Sequence, residues 1–375
     1  MSSSNLRVLI IAPFPPPITG NSLAVKVMKD YLVNYYQIDQ VDLSKQSLKN
    51  GINSLSRIAE IVGICKKILV KKNKADVIYF TISESIAGNI KDILIYLICY
   101  RFLSKMIIHL HGGAGMRILM LSKKGILYKI NKFLVSRLGG VIILGERHHD
   151  LYSGILPEKK IFIVPNFAED FLFSSKNEVI KKFNDVSTLK LLFISNFNSG
   201  KGYEELLEAI ISLPDELKCR INIDFAGGFE SKTQKKTFLS RISNIPQIKY
   251  HGVVNGNQKK ALFQASHVFC LPTYYPYEGQ PISILEAYAS GCFVMTTDHS
   301  GIFDIFKDGI NGIVVKKKSS ASIEQSLSRL FDNMHELLPV ALNNLKEANE
   351  KYKTIKYNTA LKNILENFSM KTENS

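Results

Sequence analysis

Short apolar runs alternate with longer amphipathic segments along the whole chain. In the first half the runs are Arg7–Pro13, Ile38–Leu43, Asp76–Thr81, Met106–His111, Val141–Leu144 and Ile161–Val164. They are rich in Val and Ile, nearly continuous in apolar character, and bounded by Gly, Pro or Asn. Such runs predict strands buried on both faces, as in a parallel sheet covered by helices. Helices are predicted between them, over Ser22–Val33, Leu55–Val70, Ile90–Leu103 and Lys124–Leu138. The pattern then restarts. Leu189–Ser195 reads as a new first strand, followed by a helix over Tyr203–Ser212 that stops at Pro214. Strands follow at Ile221–Ala226, Ile248–Tyr250, His267–Leu271, Phe293–Thr296 and Ile313–Val315. The polar stretch Ser174–Ser187 reads as a linker. The expected fold is α/β, with two doubly wound domains over residues 1–183 and 184–344. A C-terminal helix over about 345–370 is expected to pack back on the first domain.

A length of 375 residues agrees with more than one core, and 46% hydrophobic with 22% charged residues is the balance of a globular protein. The longest apolar run, Ile93–Leu103, is interrupted by Arg101 and is too short for a spanning helix. Val8–Ala12 runs straight into Pro13, which argues for a strand and against a secretory signal. The five cysteines form no Cys-x-x-Cys pair, so neither a disulfide framework nor a cysteine zinc site is expected, and a reducing cytoplasm fits. The formal charge of +15 is uneven. Residues 1–183 hold 26 basic and 13 acidic side chains, nearly all the excess. A basic half suits anionic lipid, nucleic acid or a phosphorylated substrate; lysines that merely solubilise helices are the plainer reading.

Open parallel sheets bind ligands beyond the carboxyl ends of their strands, and two facing domains would form a cleft there. Four loops fall at such places. After the first strand, Gly20 and Asn21 would leave amides at a helix N-terminus, where an anion or a sugar hydroxyl is welcome; a simple capping turn fits as well. The fourth predicted strand ends in His111-Gly112-Gly113, with His109 and His111 on one face. His111 is placed at a ligand and His109 in the core, while a buried, satisfied histidine is the plainer reading of His111. His148 and His149 point different ways and make a poor metal pair. At the start of the second domain Lys201 lies in Ser195–Gly202, where an ammonium and a helix dipole would converge on a diphosphate. The segment is not a P-loop.

The most informative segment is Glu278-Gly279-Gln280-Pro281-Ile282-Ser283-Ile284-Leu285-Glu286-Ala287. Pro281 suits the first turn of a helix. Glu286 then faces inward, Glu278 stands before the N-terminus, and amide donors lie between them. Carboxylates are natural bidentate acceptors for vicinal hydroxyls, so the pair suggests a sugar or ribose at each end of a phosphate.

At these residues the sequence resembles the retaining glycosyltransferases of family four, which have the GT-B architecture of two facing Rossmann-like domains. Glu278 and Glu286 match the family's Glu-x7-Glu motif. Ser300-Gly301-Ile302, the Lys201-Gly202 pair, His111 and Val164-Pro165-Asn166 extend the match. The resemblance implies that Glu286 holds the donor's ribose and Glu278 the transferred sugar. Lys201 would bind the diphosphate with the amides near Ile282 and Ser283, and Asn196, Gly279 and Gln280 would belong to the donor site. His111 would contact the donor sugar, and Gly20 and Asn21 would complete the set where it borders the acceptor. His111, Lys201 and Glu278 are thus the catalytic candidates. One departure stands out: the family's Gly-Arg before the lysine is Ser195-Asn196 here, so a cation is missing or comes from elsewhere.

The resemblance further implies a metal-independent enzyme without a bound cofactor, and no Asp-x-Asp occurs. Its donor would be a nucleoside-diphosphate sugar and its acceptor a lipid-linked or oligosaccharide hydroxyl, in the synthesis of capsule, O-antigen or exopolysaccharide. A nucleotide-sugar epimerase or hydrolase of the same architecture is the alternative. A nucleic-acid-binding protein is disfavoured, because stacking motifs are not evident and the basic half is not the half with the best ligand motif. The apolar spacing of Leu55, Ile58, Ile61, Val62, Cys65 and Leu69, followed by Lys71, Lys72 and Lys74, suggests an anionic membrane as partner. Lys123, Lys124, Lys129 and Lys132 form a second cluster. Packing of these faces on the sheet is the plainer alternative. The expected location is peripheral, at the cytoplasmic face of the plasma membrane.

Overall fold

The structure, a computed structural model, describes residues 6–44, 54–121, 125–184 and 186–373. Lys123, Lys124 and the Leu55 side chain lie outside what is described. The chain divides into two compact units. One runs to Asn166 and takes up the segment from Ile355; the other is Phe167–Thr354.

The first unit holds strands β1 (Arg7–Ala12), β2 (Gln37–Asp42), β3 (Val77–Thr81), β4 (Met106–His109), β5 (Gly140–Ile143) and β6 (Ile161–Ile163). All pair in parallel in the order β2-β1-β3-β4-β5-β6. Helices α1 (Gly20–Leu32), α2 (Ser54–Lys71), α3 (Ile86–Ile98), α4 (Ala114–Leu121) and α5 (Ile126–Val135) connect them. β3 and β5 are buried at every position, as near-continuous apolar strands require.

The second unit repeats the plan with β7 (Leu189–Ile194), β8 (Ile221–Ala226), β9 (Ile248–Tyr250), β10 (Val268–Leu271), β11 (Phe293–Thr296) and β12 (Gly312–Val314). Their order is β12-β11-β10-β7-β8-β9, again parallel. The covering helices are α6 (Lys176–Phe183), α7 (Tyr203–Ser212), α8 (Asp215–Lys218), α9 (Lys232–Ile242), α10 (Gly256–Ala265), α11 (Ile282–Ala289), α12 (Ser320–Asp332) and α13 (Leu337–Lys351). The last helix, α14 (Thr354–Glu373), carries the chain from this unit into the first.

All twelve predicted strands are present, with small shifts at their ends. β4 stops at His109, so His111 sits in the loop beyond it. The stretch read as a linker is largely helical instead. Ser175 and Glu178 form a reciprocal capping box, and Val179 and Phe183, one turn apart, enter the core of the second unit. That signal lay in the sequence, but four apolar side chains in fourteen made the segment look solvated. Residues 167–183, expected with the first half, accordingly belong to the second unit.

Strand order reverses between β1 and β3 in one sheet and between β7 and β10 in the other. At each reversal two loops leave the carboxyl edge in opposite directions and open a crevice. The amino ends of β11 and β12 are pinned by one side chain. Asn344 of α13 is fully buried and donates to the carbonyls of Cys292 and Asn311, both at 2.9 Å, while accepting from Asn311 Nδ2 at 2.9 Å. Asn344→Ala strands these groups in the interior. It should lower unfolding free energy by about 1–3 kcal/mol, read from urea titration.

Candidate functional site

In the second unit the site grows from the switch point. β7 delivers the loop Ser195–Gly202, and β10 delivers Pro272–Pro281. Phe197 anchors the first loop. Its ring is fully buried, 4.1 Å from Phe229, 4.8 Å from Tyr203 and 5.3 Å from Phe238, centroid to centroid. Rings at such separations add to the burial energy, so the loop is held by its third residue. Two glycines allow the close approaches. Gly227 has φ 142°, and a Cβ there would meet the Ser195 carbonyl oxygen at 1.8 Å; Gly202 has φ 81°, and its Cβ would meet Pro272 O at 2.3 Å.

These constraints place the Lys201 ammonium 2.7 Å from Glu278 Oε2 and 4.7 Å from the Tyr275 ring centroid. Thr273 Oγ1 donates to the same carboxylate oxygen at 2.9 Å, and Ser300 Oγ donates to the Glu278 carbonyl at 2.6 Å. Ser300 takes a left-handed φ of 49° to do so, an uncommon conformation for a residue with a Cβ. Only 8% of the Glu278 and 13% of the Lys201 side chain is exposed. A pair this deep is tolerable because further hydrogen bonds serve it.

Gly279 and Gln280 are buried beside it, and Ile282 and Ser283 open α11. First-turn amides have no acceptor within their own helix, and the dipole adds positive potential there. Asn196, by contrast, is exposed next to Gly228. The structure therefore brings Lys201, Glu278 and the α11 amides together, and leaves Asn196 at the margin.

Glu286 is buried on α11, as expected, but with partners not expected. Lys259 Nζ of α10 lies 2.5 Å from Glu286 Oε1 and 3.0 Å from Glu169 Oε2. Burial works against the Lys259 charge; the Glu286 and Glu169 carboxylates more than restore it and hold its pKa above the usual lysine value. In sequence Lys259 is one of two adjacent lysines at a polar helix start, and only the packing of α10 reveals which of them turns inward.

In the first unit His111 stacks on His109 with centroids 3.9 Å apart. Tyr79 Oη lies 2.6 Å from His109 Nδ1 and 3.5 Å from His111 Nε2. Burial pushes His111 down to about 3, so its imidazole is neutral near pH 7. Its Nδ1 is buried without a partner among the described residues. The loop behind it is fixed by Glu84, which sequence reading passed over. One Glu84 oxygen accepts from the amides of Gly113 at 2.7 Å, Gly115 at 3.1 Å and Met116 at 3.4 Å. The glycines that seemed to await a ligand thus serve an internal carboxylate. Gly20 and Asn21 form the first turn of α1, which Thr19 and Ser22 cap reciprocally. His149 bonds Glu158 at 2.7 Å and His148 is buried, and no metal-binding group of three or more His, Cys, Asp or Glu occurs among the described residues.

Two outcomes follow. Lys259→Met leaves the Glu286 carboxylate buried without its cation and should cost about 3–5 kcal/mol in a urea titration, part of it regained by adding Glu286→Gln. The buried histidines set an acid limit. Burial lowers His148 to about 4 and His109 well below the free value of 6.5, so below that pH the unfolded chain binds protons that the native unit does not. Stability should be complete above about pH 6.5 and fall as the pH drops towards 4, by up to about 1.4 kcal/mol per pH unit for each histidine. Urea midpoints near neutrality and near pH 5 would measure it, with His148→Phe flattening the dependence.

Residues 175–352 match the family described as glycosyl transferases group 1. An uncharacterized glycosyltransferase of Methanocaldococcus jannaschii is 27% identical over 247 residues, covering 62% of this chain and 61% of that protein. The N,N'-diacetylbacillosaminyl-diphospho-undecaprenol alpha-1,3-N-acetylgalactosaminyltransferase of Campylobacter jejuni is 25% identical over 201 residues, covering 52% and 51%. The chain spans less than two thirds of the length of either relative. HepE of Anabaena, solved in complex with UDP-glucose, matches with a TM-score of 0.73 at 14% identity, over 96% of this chain and 100% of that one. This likeness establishes the GT-B fold. The matched residues span the second sheet and its crevice, so the second unit is the part of the chain that is similar to the glycosyl transferases group 1 family.

Proposed function

We propose that the protein is a retaining, metal-independent glycosyltransferase. It moves a sugar from a nucleoside-diphosphate sugar to a hydroxyl of a lipid-linked or oligosaccharide acceptor during surface-polysaccharide synthesis. The observation that carries this reading is the Lys201–Glu278 pair at the second switch point, beside the first-turn amides of α11. An ammonium and open amides suit a diphosphate, and a carboxylate next to them suits sugar hydroxyls. The Campylobacter relative is named for a diphospho-undecaprenol acceptor, and HepE was solved with UDP-glucose, which supports the choice of substrate classes.

In this mechanism the bond from the anomeric carbon to the diphosphate oxygen breaks, and its electron pair stays on the leaving group. The acceptor oxygen bonds to the same face of that carbon and gives up its proton to the departing phosphate. Lys201 swings its charge from Glu278 to the diphosphate, with the Ile282 and Ser283 amides assisting; stabilising this growing charge is the main catalytic contribution. Glu278 with Gly279 and Gln280 holds the transferred sugar, and Glu286 the ribose. Neutral His111 contacts the donor sugar, Gly20 and Asn21 border the acceptor, and Asn196 occupies the donor rim.

No helix among the described residues is long and apolar enough to cross a membrane. The proposed place of work is the cytoplasmic face of the plasma membrane, held peripherally by an anionic surface.

Lys201→Ala tests the mechanism. Turnover should fall more than donor affinity, by about a hundredfold or more, because the leaving-group charge is largest in the transition state. Steady-state kinetics with UDP-, GDP- and ADP-sugars, the donor first chosen by thermal shift, separate the two effects. A rise in KM with turnover intact would refute the role. EDTA should leave activity in place.

A further inference from the structure

The outer sides of α2, α3 and α5 carry an apolar surface that no described element covers. On α3 the residues Ile86, Ile90, Leu94 and Leu97 fall at helical spacing and are 60%, 56%, 40% and 55% exposed, while Ile95 and Tyr96 turn into the core. Ile126 and Phe133 of α5 flank this stripe, and Ile58 and Val62 of α2 are likewise exposed. The helices form one layer. Asn89 of α3 and Asn131 of α5 exchange amide hydrogen bonds of 3.0 and 2.8 Å, and α2 packs on the other side of α3. Scattered exposed leucines need no explanation, but a plate of aliphatic side chains across three adjacent helices marks an interaction surface.

The charge around the plate identifies the partner. From Ile93 to Gly145 the chain has eight basic residues and no acidic one. Arg101, Lys129, Lys132 and Arg137 are exposed beside the stripe. The Arg137 guanidinium lies 3.6 Å from the Phe133 ring centroid, and Phe133 stacks on Tyr100 at 6.4 Å. Aliphatic side chains rimmed by aromatic rings and basic groups are what an interfacial surface presents to lipid. A second copy on this face would set basic rim against basic rim. Two of the three lysines first singled out at the end of α2 are engaged elsewhere: Lys71 pairs with Asp39 at 3.1 Å, and Lys72 donates to the Ile98 carbonyl. The centre of the surface is α3, with α2 at its edge.

We propose that this α2–α3–α5 face docks the protein on an anionic lipid bilayer. The inference deepens the membrane part of the proposed function and rests on that part alone. It also fixes an orientation. The stripe begins at Ile86, two residues past Glu84, whose carboxylate holds the loop behind His111. The end of the docking face therefore adjoins the carboxyl edge of the first sheet, where the headgroup of a lipid-anchored acceptor would arrive.

The test is co-sedimentation of the full chain with vesicles rich in phosphatidylglycerol and with vesicles of phosphatidylcholine alone, at low and high salt. The wild type should bind the anionic vesicles and lose affinity as salt rises. Ile90→Glu with Leu94→Glu should reduce that binding by about tenfold or more. Lys129→Glu with Lys132→Glu should weaken it comparably and remove most of its salt dependence. Ile310→Glu, on an exposed apolar residue of the second unit, should change nothing. Circular dichroism and the thermal shift with a nucleotide sugar show that each variant is folded. Wild type that fails to bind, or α3 variants that bind as the wild type does, would overturn the proposal. So would a wild-type dimer in analytical ultracentrifugation that the α3 pair dissociates. Vesicle binding without any nucleotide-sugar shift would leave the docking surface standing and count against the transferase reading instead.

Discussion

A parallel strand buried on both faces cannot return by a hairpin, so each connection must cross over through a helix. This constraint organises both units. It sends every strand's carboxyl end to one edge, and where the strand order reverses it forces two loops apart. Lys201 and Glu278 are 77 positions apart in sequence and 2.7 Å apart in space for that reason alone. The sheets are scaffolds, and their chemistry is confined to the few residues that leave a central strand on either side of a reversal.

Within the second crevice the decisive balance is between desolvation and pairing. A carboxylate taken out of water is tolerated only when a cation and hydrogen-bond donors meet it. The two glutamates meet that demand differently. The Glu278 carboxylate draws on Lys201 and Thr273, both from loops, while Ser300 serves its main-chain carbonyl. Glu286 draws on Lys259, which a second carboxylate, Glu169, keeps charged. One glutamate is thus paired from loops at the carboxyl edge of the sheet. The other is fastened between two helices, α10 and α11.

The fold was legible because its signal is periodic. Apolar runs of strand length, separated by helical spacing, marked all twelve strands, and the reading erred only where local and bulk cues disagreed. Ser174–Ser187 is polar overall, yet Ser175, Glu178, Val179 and Phe183 are enough to start and seat a helix. In the second unit the candidate site was legible where it is contiguous, in Glu278–Glu286, and in the loop that follows β7. It was not legible where residues meet through tertiary packing. Lys259, Glu169 and Glu84 have no local pattern to distinguish them from surface charges. The same limit explains α3: an apolar helix reads as core, and only its place at the outside of the layer shows that half its aliphatic side chains lack cover.

The anchoring of the loop after β7 has a consequence for how the family position at 196 can change. Phe197 supplies the packing that holds this loop, and its amide bonds the Gly228 carbonyl at 2.8 Å. Its neighbour Asn196 stands in solvent and contributes nothing to the core. Core packing and solvent exposure thereby fall to adjacent residues. The side chain at 196, its charge included, can therefore vary without disturbing the packing that folds the loop, so the expected arginine and the asparagine found there are equivalent to the scaffold.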